Sequence, residues 1–261
     1  VFKRYAWFKR LNAKITYELL AKHIPATDWQ FMNYGYVPNP QEKPLHLPTK
    51  PAQLYPLQMY HYLATKTNIE GKHVLEVGSG RGGGARHVAE HLKPASYTGM
   101  DLAQNAVDLA NKLNALPNLK FIQGSAEKIP LADDSMDVVI NVESCHAYGC
   151  VDSFLKEVSR VLKPGGYFLM VDFRNQENVS QFMNQLKNSG LKELEREDIS
   201  ENVVRSIEAE DETKRARIKA LIPARWQKLF CDFAGVVGSR FHLTLKNKQR
   251  FYYRFVFVKE G

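Results

Sequence analysis

The sequence predicts an α/β fold with a mostly parallel, doubly wound sheet, and three observations carry that reading. Five short apolar runs, HVLEV (73–77), YTGMD (97–101), LKFIQ (119–123), MDVVINV (136–142) and YFLMVDF (167–173), have the length and residue types of buried strands. Segments of helical periodicity near 82–92, 103–115 and 151–162 lie between them, and such alternation makes βαβ units. A glycine-rich turn, VGSGRGGG, joins the first run to the first of these helices. Ligands of such sheets sit outside the carboxyl ends of the strands, so that rim is where the chemistry is sought.

Taken in order, residues 1–70 read as an N-terminal helical cap. Trp7, Leu11, Ile15 and Leu19 have helical spacing in 5–22, and six prolines between Pro38 and Pro56 interrupt regular structure. A helix is expected to resume near Leu57 and end at Gly71. Residues 71–175 carry the five strands. The repeat then continues through a helix near 177–189 and a strand near 191–198. A charged helical insertion of about thirty residues comes before the last strand, FYYRFVFVKE. The whole is expected to be one domain, with 176–261 on the acceptor side of the site.

The composition is that of a globular protein, with 44% hydrophobic and 25% charged residues. Cys145, Cys150 and Cys231 form no CxxC pair, which argues against a disulfide framework or a structural zinc site. The formal charge of +8 suits an anionic partner, but without a zinc finger, RNP motif or basic tail nucleic acid is not expected. No run has the length of a spanning helix. A cytoplasmic location is expected, with the basic and aromatic opening FKRYAWFKR as a candidate for peripheral membrane contact. The first residue is Val1, so the natural N-terminus is allowed to lie upstream.

The strongest chemical signal is the turn itself. Glu76 stands two residues before Gly78, in an ExGxG spacing rather than GxGxxG. A pyrophosphate needs a helix N-terminus, whereas a cationic sulfonium with an amino-acid tail gains from a nearby carboxylate. Asp101 ends the second strand, where an acid accepts hydrogen bonds from ribose hydroxyls, although NAD enzymes share that feature.

Glu76-x-Gly78-x-Gly80, Asp101, GSAEKIPLADDSMDVVINVES (124–144) and RVLKPGGYFLMVDF (160–173) together resemble the class I S-adenosylmethionine-dependent methyltransferases, which have a Rossmann-like fold. The resemblance implies S-adenosylmethionine as cofactor, held by Tyr60, Glu76, Gly78, Ser79, Gly80, Asp101, Leu102, Ser125, Ala126, Glu127, Asn141 and Glu143. Ser125 stands where the family usually has an Asp beside the adenine. FMNYGY (31–36), MYHYLA (59–64), INVESCHAY (140–148) and the terminal YYRFVFVK are similar to the phthiotriol and phenolphthiotriol dimycocerosate methyltransferases, which methylate a secondary hydroxyl on a long-chain lipid. Residues 176–245 match that pattern poorly, so the acceptor's identity does not carry over.

These likenesses imply methyl transfer to a hydroxyl of a small or lipidic acceptor. His146, after the fourth strand, is the candidate base, because histidine titrates near neutrality; the other reading is that it only orients substrate. Asp172 and Arg174 either contact the acceptor or a base, or form a surface ion pair. Trp29, Phe31, Tyr34 and Tyr36 form a lid or an aromatic packing cluster. His242 is read as a sheet residue that also has a chance of lining the acceptor site. Lys214 to Arg217 reads as a solvated helix face. No metal is required, although Asp172 near His146 leaves a divalent site open. The rival functions are N- or C-methylation, as of a sterol-like acceptor, and cofactor binding without catalysis.

Overall fold

The computed structural model describes residues 30–42 and 53–261. Trp29 and the helix expected over 5–22, with its FKRYAWFKR opening, lie outside the described residues. Seven strands form one sheet in the order β3-β2-β1-β4-β5-β7-β6. Helix α1 (Leu54–Ala64) precedes β1 (His73–Val77), α2 (Gly83–His91), β2 (Ser96–Asp101), α3 (Gln104–Leu113), β3 (Leu119–Gln123) and β4 (Met136–Val142). Then come α4 (Val151–Val161), β5 (Leu162–Asn175), α5 (Gln176–Lys187) and β6 (Lys192–Asp198). Three helices, α6 (Ser200–Leu221), α7 (Ala224–Ala234) and α8 (Arg240–Lys246), lead into β7 (Arg250–Val258).

β1 to β5 are parallel, and β7 enters antiparallel between β5 and β6. The parallel strands are apolar because helices cover both faces: Val74, Leu75, Val138, Val139 and Ile140 are all within 1% of full burial. β6 (KELERED) pairs only with β7 and is charged along most of its length, as suits an edge strand. α4 buries Phe154, Leu155, Val158 and Val161, a helical stripe that packs on the sheet.

The strand order reverses between β1 and β4, so the carboxyl ends of these two strands open a crevice at the switch point. Side chains from β4 and the turn after it pin that crevice. Asn141 Nδ2 and Ser144 Oγ donate to the Val77 carbonyl at 2.9 and 3.1 Å, and the Tyr148 hydroxyl lies 2.8 Å from Ser144 Oγ.

Three expectations change. The helix expected to resume near Leu57 and end at Gly71 runs Leu54–Ala64 instead. The insertion is longer than thirty residues, because α6, α7 and α8 span 200–246. His242 lies in α8 and not in the sheet: Ser239 Oγ caps this helix by accepting from the His242 N–H at 3.2 Å. Among the described residues no helix is long and apolar enough to cross a membrane.

Candidate active site

Two adjoining cavities occupy the carboxyl rim. The first, about 1050 Å³ of empty space counted out into open solvent, lies between the glycine loop, the ends of β2 and β4, and the strap 30–33. The glycine loop folds as it does because Gly78 has φ +83°, and a Cβ there would lie 2.3 Å from Ser144 Oγ. Its N–H and that of Ser79 donate to the Met100 carbonyl at 2.8 and 3.0 Å. Asp101 ties this loop to the start of α3, its two oxygens accepting from Gly80 N and Ala103 N at 2.9 Å each. Burial raises the Asp101 pKa, while these backbone donors oppose the shift.

Of the residues expected to hold the cofactor, Tyr60, Gly78, Ser79, Gly80, Asp101, Leu102, Ser125, Ala126, Glu127 and Glu143 line this cavity. Glu76 and Asn141 stand behind its wall instead. Glu76 is fully buried under the loop, where its carboxylate accepts from the Tyr60 and Tyr97 hydroxyls at 2.7 and 2.9 Å. Burial pushes its pKa up to about 7 against the pull of those two hydroxyls. The Tyr60 ring reaches the cavity because residue 84 is glycine, where a Cβ would fall 2.2 Å from the ring. Ser79 Oγ is buried with no hydrogen-bond partner among the described residues. A polar ligand lying in the glycine cradle would satisfy it, which fits the amino-acid end of S-adenosylmethionine.

The second cavity, of about 630 Å³, shares Phe31, Met32, Asn33 and Glu143 with the first. Its other walls come from Tyr34, His146, Phe173, Glu210, Lys214, Arg217, Phe233 and Ala234, among others. The strap is fastened between them: Tyr34 N donates to Glu143 Oε1 at 2.7 Å, Ser206 Oγ to the Tyr34 carbonyl at 2.9 Å, and the Tyr34 ring stacks on Phe241. Tyr36 is buried in the core, stacked on Tyr62. Glu143 stands at the junction with φ +47°. Burial raises its pKa to about 8, despite the Tyr252 hydroxyl and the Tyr34 N–H that donate to it.

His146 faces this second cavity, and Asp172 holds it from behind. Asp172 Oδ1 lies 2.8 Å from His146 Nδ1, and Oδ2 accepts from the His146 backbone N–H at 2.8 Å. Burial disfavours the Asp172 charge, but Arg174 at 3.2 Å and His146 outweigh it and bring the pKa down to about 2. The carboxylate therefore fixes the ring with Nδ1 as donor and leaves Nε2 as acceptor. Asp172 and Arg174 line neither cavity; they form a buried ion pair behind the histidine, not a surface one.

His242 also lines neither cavity, since its Nδ1 accepts from Gly238 N and its Nε2 lies 3.3 Å from Glu208 Oε1. Lys214 corrects the reading of 214–217 as a solvated face. It is 7% exposed, its ammonium donates to the Ala234 carbonyl at 3.3 Å, and Glu210 lies 3.8 Å away. Sequence reasoning missed this cation, together with Glu210 and Arg217. The signal was present in the α6 stripe Val203, Ile207, Lys214, Ile218, which repeats at helical spacing. Among the described residues no group of three or more His, Cys, Asp or Glu is placed to hold a metal ion.

Residues 75–170 match the family model described as methyltransferase domain. The phthiotriol/phenolphthiotriol dimycocerosates methyltransferase of Mycobacterium leprae is 34% identical over 245 residues, 94% of this chain and 90% of that protein. The fatty-acid O-methyltransferase of Mycolicibacterium smegmatis is 35% identical over 268 residues, 98% of this chain and 94% of that protein. Among solved structures, the fold is similar to geranyl diphosphate C-methyltransferase from Streptomyces coelicolor A3(2), crystallised with Mg2+, geranyl diphosphate and S-adenosyl-L-homocysteine. The TM-score is 0.68 at 14% identity, over 96% of this chain and 97% of that one.

Proposed function

The chain belongs to the class I S-adenosylmethionine-dependent methyltransferases, and from that premise we propose that it methylates an oxygen of a lipidic acceptor held in the second cavity. S-adenosylmethionine is the cofactor; when bound it supplies an electrophilic methyl group on a sulfonium. Asp101 would accept from its ribose hydroxyls, Leu102, Ser125 and Ala126 would border the adenine, and Tyr60 and Ser79 would meet the amino-acid end. The observation that carries the reading is the His146–Asp172 pair: Asp172 engages Nδ1, which leaves Nε2 as the acceptor, and His146 lines a cavity that meets the cofactor cavity at Glu143 and the strap.

His146 Nε2 would take the proton from the acceptor hydroxyl as that oxygen bonds the methyl carbon and the carbon–sulfur bond breaks, its electron pair staying on sulfur. Asp172 holds the resulting imidazolium, and Arg174 keeps Asp172 ionised. The side chain of His146 is 28% exposed, so the proton then passes to solvent. Much of the acceleration comes from holding the reacting atoms in line, worth up to about 7–11 kcal/mol in favourable intramolecular cases.

A carboxylate acceptor is the second reading, favoured by the buried Lys214 beside Arg217 in the same cavity and by the likeness to a fatty-acid O-methyltransferase. A carboxylate oxygen needs no base. The test offers methyl-labelled cofactor with a long-chain alcohol and a fatty acid of equal length, and locates the label by mass spectrometry. Label on the hydroxyl oxygen is expected. Methyl ester alone would select the second reading, and label on neither oxygen would overturn both.

A further inference from the structure

α7 packs Phe230, Cys231 and Ala234 inward but leaves a second apolar stripe facing outward. Of its eleven residues only Ala234 is buried, while Trp226, Leu229 and Phe233 are 48%, 60% and 44% exposed. Spacings of three and four residues put these three on one stripe. Leu243 on the neighbouring α8, 46% exposed, adds to the apolar surface. A helix in a globular protein is ordinarily held by the face it buries, so a helix presenting a tryptophan, a leucine and a phenylalanine to water lacks a partner on that side among the described residues.

Two observations say what covers it. First, the stripe is continuous with the second cavity, because Phe233 and Ala234 also form part of that cavity's wall. The apolar surface thus leads from solvent to the place proposed for the acceptor. Second, the exposed cations Arg225 and Lys228 on α7 and Arg240 on α8 accompany the stripe, against the single acid Asp232 on these two helices, in a chain of formal charge +8. An apolar stripe with a basic fringe matches the boundary between anionic headgroups and acyl chains.

We propose that α7 docks the protein on an anionic lipid surface and that the acceptor enters the second cavity from that surface past Phe233. The entry step rests on the lipidic-acceptor reading; the docking does not. The test uses the full chain with vesicles of phosphatidylcholine, with and without phosphatidylglycerol, and compares Trp226→Ser/Leu229→Ser with the native sequence. Leu229→Ser alone serves if thermal melting shows that the double variant does not fold.

Native protein is expected to pellet with anionic vesicles and to be released by salt. The variant should pellet about tenfold less, because it loses the inserted apolar side chains. It should methylate a water-dispersed acceptor at the native rate while losing most activity on one embedded in vesicles. Docking without methyl transfer to any lipid would uphold the surface and sink the acceptor reading. The proposal falls if native protein stays in the supernatant, or if the variant pellets like the native chain. It falls equally if deleting residues 1–10, rather than the α7 change, abolishes pelleting. Sedimentation that shows a dimer split by the α7 change would make the stripe a self-interface and overturn it too.

Discussion

The two cavities are built from different materials. Around the first, backbone does much of the shaping: Gly78, Ser79 and Gly80 turn on N–H bonds to Met100 and Asp101, and a glycine at 84 admits the Tyr60 ring. Around the second, side chains from distant segments converge, with Tyr34 on the strap, His146 after β4, Lys214 on α6 and Phe233 on α7. A ligand that is always the same suits a wall fixed by backbone geometry. A variable ligand suits a wall of side chains, each of which can change without altering a strand.

That contrast predicts separable damage, and the largest effect belongs to the second cavity. His146→Ala should lower turnover on a hydroxyl acceptor by about 10²–10⁴, the usual worth of a positioned base. Cofactor affinity by calorimetry should change by less than about twofold, because the Gly loop and Asp101 do not depend on the imidazole. Full activity in the variant would remove the base role. Lost cofactor binding would join the two cavities into one structural unit and break the comparison.

The next effect lies in the first cavity. Asp101→Ala removes the acceptor expected for the ribose and also the tie between Gly80 and Ala103. S-adenosylmethionine binding should weaken by about 1.5–3 kcal/mol, the range for hydrogen bonds to charged groups. With saturating cofactor, the turnover number should recover most of its native value. Unchanged affinity in a folded variant would place the ribose elsewhere. NAD should show no saturable binding to the native chain.

The same contrast explains what the sequence disclosed. The strand runs and the glycine turn are local patterns, so β1 to β5 and ten of the residues that line the first cavity are legible in the sequence. Glu76 was singled out from its spacing alone. Nothing local shows that the Tyr60 and Tyr97 hydroxyls occupy its carboxylate, because those partners lie on α1 and β2. Around the second cavity two local patterns misled. Phe241, Leu243 and Leu245 alternate with His242 and Thr244 as in a strand, yet Ser239 caps a short helix there and Leu243 faces outward. The run of charges at 214–217 suggests a solvated face, yet a helix sends adjacent residues in different directions: Lys214 joins the buried stripe and Arg215 is exposed. The Asp172–Arg174 pair could not be placed inside or outside until the β5–β7 pairing covered that end of β5.

The smallest expected effect tests whether the first region has a stability of its own to lose. His87 on α2 is 3% exposed, its Nε2 lies 3.2 Å from His61 Nδ1, and its ring stacks on His91 at 4.6 Å. Burial, followed by the charges His91 and His61 can carry, brings its pKa from 6.5 down to about 3. The folded chain keeps this histidine neutral over that interval, while the unfolded chain protonates it below about 6.5. The unfolded state therefore binds more protons, and unfolding free energy falls as pH falls through the window, by up to about 1.4 kcal/mol per pH unit. Below about 3 the folded state also takes the proton and the slope from this group ends. Glu76 and Glu143, raised to about 7 and 8, add a slope of opposite sign between about pH 6.5 and 5, but they do so in native protein and variant alike, so the difference between the two isolates His87. Denaturant melts of native protein and His87→Leu across that interval should show a less positive slope of unfolding free energy against pH in the variant, while His61, whose pKa burial also lowers, and the two raised carboxylates contribute to both proteins. Equal slopes would mean that His87 is reached by solvent and titrates normally, and that the back of α2 is less firmly packed than the glycine loop in front of it.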